Sequence, residues 1–158
     1  MGRESGIKVI ARNKRARFDF LIEEVFEAGL VLTGTEVKSL REGRANISEA
    51  YATIEAGEPW LENAYIPEFI GGSWTNHAPR RKRKLLLGRK EISKLSRAVS
   101  ELGVTLVPMA IYFKDGYAKL EIGLARGKKA VDKREALKAK DAQREIQKTL
   151  KAANRGSD

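Results

Sequence analysis

No cysteine occurs in the 158 residues, which removes disulfide frameworks, thiolate metal sites and cysteine nucleophiles from consideration. Histidine is almost as scarce: one copy, His77, cannot build a histidine-rich metal centre and makes a catalytic triad improbable. No apolar run approaches the roughly 20 residues that a membrane helix needs. The basic amino terminus is not followed by an apolar signal core. The expectation is therefore a soluble, intracellular, cytoplasmic chain, free of membranes, cofactors and metals, with room for one domain and a real core. Acidic residues are the other shortage, with 21 Asp and Glu against 31 Lys and Arg and a formal charge of +10. Such an excess points to a polyanionic partner, nucleic acid first.

What is present reads as β-structure. Residues 7–17 mix a short apolar patch with Lys8, Arg12, Lys14, Arg15 and Arg17. Phe18 to Thr33 is aromatic and β-branched, with Ala28-Gly29 in its middle, and reads as two strands with a tight join. Thr33-x-x-Glu36 has the form of a capping box and Gly43 can end the turn, predicting a helix over 34–42 whose outer side carries Lys38 and Arg41. Residues 50–66 form a hairpin pattern around Ala56-Gly57-Glu58-Pro59, and residues 67–79 an exposed loop. Ile92, Leu95, Val99 and Leu102 recur at helical spacing before Gly103. A last hairpin turns at Lys114-Asp115-Gly116, with Ala118, Leu120, Ile122 and Leu124 alternating against Tyr117, Lys119 and Glu121. About six strands in hairpins predict a mainly β fold over residues 1–125. A closed, oligonucleotide-binding-type barrel is the most economical arrangement, and an antiparallel sandwich the alternative.

Residues 126–158 are different. They hold eleven basic and five acidic residues, so +6 of the net charge, and no aromatic residue. The composition favours helix: Lys140, Arg144, Lys148, Lys151 and Arg155 fall on one side, and Ala139, Ala142, Ile146, Leu150 and Ala153 nearly opposite. Like charges four apart oppose one another and the apolar stripe is thin, so the free tail is expected to be disordered. Against phosphates the repulsion becomes attraction, and the helix forms on binding.

Catalytic chemistry is hard to find. His77 reads as a solvated loop histidine. Gly123 to Lys128 lacks the spacing and the Ser or Thr of a phosphate loop. Glu23, Glu24 and Glu27 read as surface strand carboxylates, and no acidic cluster offers a two-metal nuclease site. The expectation is a protein that is not an enzyme. The basic groups instead recur where they can cooperate: Lys14, Arg15 and Arg17 before the first strand pattern, Lys38 and Arg41 on one helix face, and the run Arg80 to Lys84. Phosphate contacts of this kind position a protein without reading bases. A generic single-strand-binding barrel and a small nuclease are the competing readings.

Four stretches resemble the SmpB family, the SsrA-binding proteins of bacterial trans-translation: NKRAR from Asn13, IEEVFEAGLVLTGTEVKSLREGRANIS from Ile22, RKLLL from Arg83, and IGLARGKKAVDKRE from Ile122. The resemblance implies a barrel that binds the transfer-RNA-like domain of transfer-messenger RNA. It also implies delivery to stalled ribosomes, with elongation factor Tu involved indirectly through the charged RNA. Carried over, the RNA-binding surface comprises Asn13, Lys14, Arg15, Arg17, Glu27, Glu36, Lys38, Arg41, Asn46, Arg83, Lys84 and Leu86. Glu27 enters as an acceptor toward nucleotides and Leu86 as an apolar contact for an exposed base. The tail residues Gly127, Lys128, Lys129, Asp132, Lys133, Arg134, Lys140, Arg144 and Lys148 would meet the small-subunit decoding centre and the vacant messenger RNA channel. Val131 stands where the family commonly has His, and Ala142 where some members carry an aromatic residue, so neither supplies stacking here.

Overall fold

The computed structural model describes residues 6–71 and 76–127. Over these residues the chain runs β1 (Ile7–Arg12), α1 (Ala16–Asp19), β2 (Phe20–Leu30), α2 (Gly34–Arg41), β3 (Tyr51–Glu55), β4 (Glu58–Glu62), β5 (Arg83–Leu86), α3 (Arg89–Val99), β6 (Val104–Lys114) and β7 (Tyr117–Gly127). The strands lie in the order β1-β6-β3-β4-β5-β2-β7, and β7 also pairs with β6, so six of them close into a ring. The predicted mainly β, oligonucleotide-binding-like barrel is the observed architecture, and closure removes the open edges of the ring strands.

The sequence pattern revealed neither β5 nor β1, its count of six having taken β2 as two strands, and β1 is the seventh strand. It pairs with the second half of β6, from Ile7 opposite Lys114 to Arg12 opposite Ala110, while β3 meets the first half of the same edge at Ala52 opposite Leu106. Pro108 sits in the gap between these two partners, where its missing N–H costs no ladder bond. Asn13 fills that gap: its Nδ2 donates to the Pro108 carbonyl at 3.3 Å and its backbone N–H to the Met109 carbonyl at 2.8 Å.

The two short hairpins follow their turn chemistry. Ala56 and Gly57, and Asp115 and Gly116, all have positive φ, the pattern of a two-residue turn whose twist matches the flanking strands. At Ala28-Gly29 the expectation fails, because β2 is one continuous strand and Gly29 pairs with Lys119 on one side and Leu86 on the other. A Cβ there would lie 3.2 Å from the Leu86 Cβ, so this glycine serves a close strand approach instead of a turn.

The barrel interior is filled by residues such as Leu61, Leu85, Ile111, Leu120 and Ile122, with Leu40 of α2 and Leu95 of α3 joining them. The alternation expected for β7 breaks down at Ala125, which packs outside the barrel with Ala16, Val107 and Met109. Leu102, expected on the helix, lies beyond its end and is 84% exposed. His77 corrects another expectation: it is buried, with Nε2 2.8 Å from the Ile66 carbonyl and Nδ1 2.8 Å from Thr35 Oγ1. It pins its loop to the start of α2.

The capping box of α2 forms as predicted, with the Thr33 N–H donating to Glu36 Oε1 at 2.8 Å and the Glu36 N–H facing Thr33 Oγ1. The same carboxylate does more. It is fully buried, and it accepts from Arg81 Nη2 at 2.5 Å and from Nε of Arg83, itself fully buried. Arg83 then donates to the carbonyls of Ala64 at 2.8 Å and Pro79 at 3.0 Å. Three stretches of chain, 33–36, the residue Ala64 and 79–83, thus meet at one carboxylate–guanidinium cluster. Burial pushes the Glu36 carboxyl up, but the hydrogen bonds from Arg81, the Thr33 backbone and Arg83 together hold it below its ordinary value.

A carboxyl whose folded-state pKa is depressed contributes stability at neutral pH that is lost as pH falls through that lowered value. Glu36→Gln leaves Arg83 buried without its counter-charge, so it should destabilise the barrel by about 3 kcal/mol at pH 7. This is the lower end of the range for one partner of a buried pair, since Arg81 still reaches water. Urea denaturation at a series of pH values checks both parts: the variant should be weaker at neutrality and its stability should decline less on acidification.

Candidate nucleic-acid interface

The most conspicuous basic run is largely engaged inside the protein. Arg81 and Arg83 belong to the Glu36 cluster, Lys82 pairs with Glu55 and lies over the Trp60 ring, and Arg80 reaches Glu49 at 3.5 Å. Lys84 lies 3.4 Å from Glu58. Glu36 and Arg83, expected on the RNA-binding surface, are therefore corrected: both are inside, because each supplies the charge that lets the other leave water. Leu86 stands 55% exposed at the end of β5.

Cations without an acidic partner lie elsewhere. Among the described residues Arg12, Lys14 and Arg17 form no ion pair, and Arg15 faces Asp19 at 3.6 Å with both side chains well exposed, a weak interaction. The segment from Arg12 to Arg15 leaves β1 tethered by the Asn13 bonds and forms one wall of a groove of about 270 Å³; Ala45, Asn46, Ile47 and Ser48 form the other. Asn46 shapes its own wall by accepting from the Ser48 N–H at 2.9 Å and the Ser48 hydroxyl at 2.7 Å. The structure thus brings Asn13, Lys14 and Arg15 to Asn46. Arg17, exposed on α1, does not line this groove. Lys38 and Arg41, exposed on α2, lie over the Phe69 and Phe113 rings at 5.5 and 4.9 Å, which orients them without neutralising them.

A second depression, of about 390 Å³, opens on the outer face of β2, β7, β6 and β1. Ile7, Val9 and Val25 supply apolar walls, Glu27, Glu121 and Tyr112 polar ones, and Arg12 lines both this hollow and the groove. Glu27 accepts from the Tyr112 hydroxyl at 2.5 Å and lies 3.4 Å from Lys114 Nζ. The Tyr112 bond and Lys114 outweigh partial burial and hold the Glu27 carboxyl below its ordinary value, so it stays ionised. Burial and the bond to Glu27 push the Tyr112 phenol up. Sequence reasoning missed Arg12, Tyr112 and Lys114 as neighbours of Glu27. The alternation of Ile7 and Val9 across Lys8 was the available signal for β1, but nothing local indicated its pairing.

Gly127 is the last residue of β7 and pairs with Phe20. Arg126 beside it binds Glu23 and Glu101 at 2.5 and 2.8 Å. Lys128, Lys129, Asp132, Lys133, Arg134, Lys140, Arg144 and Lys148, with the expected tail helix, lie outside the described residues. Among the described residues no group of three or more His, Asp or Glu side chains is arranged to hold a metal ion, and no helix is long and apolar enough to cross a membrane.

Comparison with known proteins places the chain in a family. The family model described as SmpB protein matches residues 10–152. The SsrA-binding protein of Acidothermus cellulolyticus is 59% identical over 150 residues, spanning 95% of this chain and 94% of its own. That of Streptomyces coelicolor is 54% identical over 155 residues, spanning 98% of each. A solved structure described as "tmRNA-SmpB: a journey to the center of the bacterial ribosome" superposes with a TM-score of 0.63 at 52% identity, covering 74% of this chain and 82% of that one. With the family model spanning nearly the whole sequence and relatives this similar along their full lengths, the chain belongs to the SmpB family.

Proposed function

We propose that this protein is an RNA-binding adaptor of ribosome rescue: it binds the transfer-RNA-like domain of transfer-messenger RNA and delivers it to stalled ribosomes. The observation that carries this reading is the groove in which Asn13, Lys14 and Arg15 face Asn46, contiguous through Arg12 with the hollow around Glu27. The cations engage the phosphate backbone and set the register. Glu27, ionised and held by Tyr112, accepts from nucleotide N–H groups, which a phosphate cannot offer. Lys84 and Leu86 at the end of β5, with Arg17, Lys38 and Arg41, extend the footprint.

In this reading the tail takes a separate role. Its charge of +6 and its segregated faces suit folding against ribosomal phosphates at the small-subunit decoding centre and along an empty messenger RNA channel. Lys128, Lys129, Asp132, Lys133 and Arg134 form its first part, leaving the barrel at Gly127, and Lys140, Arg144 and Lys148 line the cationic side. Elongation factor Tu takes part only through the charged RNA, and the work is done in the cytoplasm without a catalytic step by this chain. The generic single-strand alternative calls for a platform of stacking aromatics. Among the described residues the exposed aromatics Phe18, Tyr51, Tyr65 and Tyr117 form no such platform: none of them lines the groove, and Tyr65 meets it only through its backbone pairing with Asn46.

Affinity measured at one fixed salt concentration should be much higher for the transfer-RNA-like domain than for an unstructured strand of equal length; equal affinity returns the reading to generic single-strand binding. In the same assay Lys14→Ala with Arg15→Ala should weaken binding and reduce the salt slope by about 1.4 to 1.8. Deleting the residues after Gly127 should leave binding of the isolated RNA domain largely intact while abolishing tagging on stalled ribosomes. Loss of both activities together would contradict the division of labour between barrel and tail.

A further inference from the structure

α3 has an outward face that none of the roles above uses. The helix buries Leu95 and packs Ala98 and Val99 against the core, and its N-terminus is closed by Glu91, whose carboxylate accepts from the Gly88 N–H at 3.3 Å. The opposite side presents Arg89, Lys90, Ser93, Lys94 and Arg97 around an open depression of about 550 Å³. Spread over the nine residues from Arg89 to Arg97, these cations cover about 12 Å of helix axis, long enough to follow several backbone phosphates.

Little of the charge on this face is answered, as at Arg12 to Arg17. Lys94 binds Glu24 at 2.8 Å and stands over the Phe26 ring, which anchors the helix to the barrel. Arg89, Lys90 and Arg97 form no ion pair among the described residues. In the run Arg80 to Lys84, by contrast, every cation lies near a carboxylate. Like charges held on one rigid face repel one another, and a polyanion converts that repulsion into attraction with release of counterions. No aromatic or carboxylate lines the depression, so the surface is suited to phosphates and not to base edges. It shares no lining residue with the groove at Asn13 or the hollow at Glu27.

We propose that the outer face of α3 is a second RNA-binding surface, a sequence-indifferent phosphate clamp made by Arg89, Lys90 and Arg97. It lets the barrel hold one RNA segment in the groove and another along α3. This goes beyond the adaptor reading, since it requires no particular RNA.

The test uses the full chain and a polyuridylate of roughly 30 nucleotides, with affinity followed between roughly 50 and 200 mM salt. Lys90→Gln with Arg97→Gln keeps good helix formers in place and should lower the magnitude of the slope of log K against log salt by about 1.4. Arg80→Gln with Lys82→Gln removes the same formal charge from cations already paired, and should change the slope by less than half as much. An unchanged slope in the α3 variant, or an equal fall in both variants, overturns the proposal. If the double variant does not fold, Lys90→Gln alone reads the same effect, a slope lower by about 0.7, and an unaltered slope there is equally fatal. The discrimination between transfer-RNA-like and unstructured RNA is a separate measurement, so either proposal can fail without the other.

Discussion

A carboxylate without water must have its charge matched, and Glu36 is matched by two guanidinium groups drawn from far along the chain. That requirement organises much of the molecule. It brings β5 and the segment before it against the start of α2, and Arg83 carries the link on to the carbonyls of Ala64 and Pro79. Apolar contacts could join these segments as strongly, since a buried ion pair seldom exceeds a well-packed hydrophobic substitute in stability. Carbonyl and carboxylate acceptors arranged around one fork of donors do, however, restrict geometry in a way that interchangeable aliphatic contacts do not.

The cluster also decides how the basic composition is distributed. Five consecutive cations look like a binding site when read as a string, because the sequence shows their sign and not their partners. In the fold, strand pairing brings Lys82 near Glu55 and Lys84 near Glu58, while Arg81 and Arg83 turn to Glu36. The positively charged surfaces left for a ligand are at Arg12 to Arg17, on α2 and on α3, each less conspicuous in the sequence than the run itself.

Features carried by adjacent residues are legible in the sequence alone: the capping box at Thr33, the turn at Asp115-Gly116, and the periodicity that places Leu95 in the core. The hairpins β3–β4 and β6–β7 are legible too, whereas barrel closure rests on the pairing of β2 with β5 and β7. What escapes depends on distant partners. Gly29 resembles a turn glycine until Leu86 is seen against it, and His77 resembles a loop histidine until Ile66 and Thr35 are seen at its two nitrogens. Asn13 and Asn46 can be grouped from the family resemblance, but the physical reason is the pairing of β1 with β6, which brings the end of β1 beside the 45–48 segment.

Glu27 shows why such a surface need not be uniformly positive. A strip of cations binds any phosphate chain, and stronger binding of that kind adds affinity without discrimination. A fixed anion among the cations repels a backbone that runs across it and accepts hydrogen bonds from base or ribose donors turned toward it. Tyr112 and Lys114 keep Glu27 ionised and oriented, and the adjacent Val25 and Ile7 give a base apolar surface to rest on. In the proposed complex, selectivity for a folded RNA then arises from the sequence of charges along the path from Arg12 to Glu27. Only an RNA whose shape brings phosphates to the first and an N–H-bearing edge to the second satisfies both, and an unstructured strand must lose conformational entropy to do so.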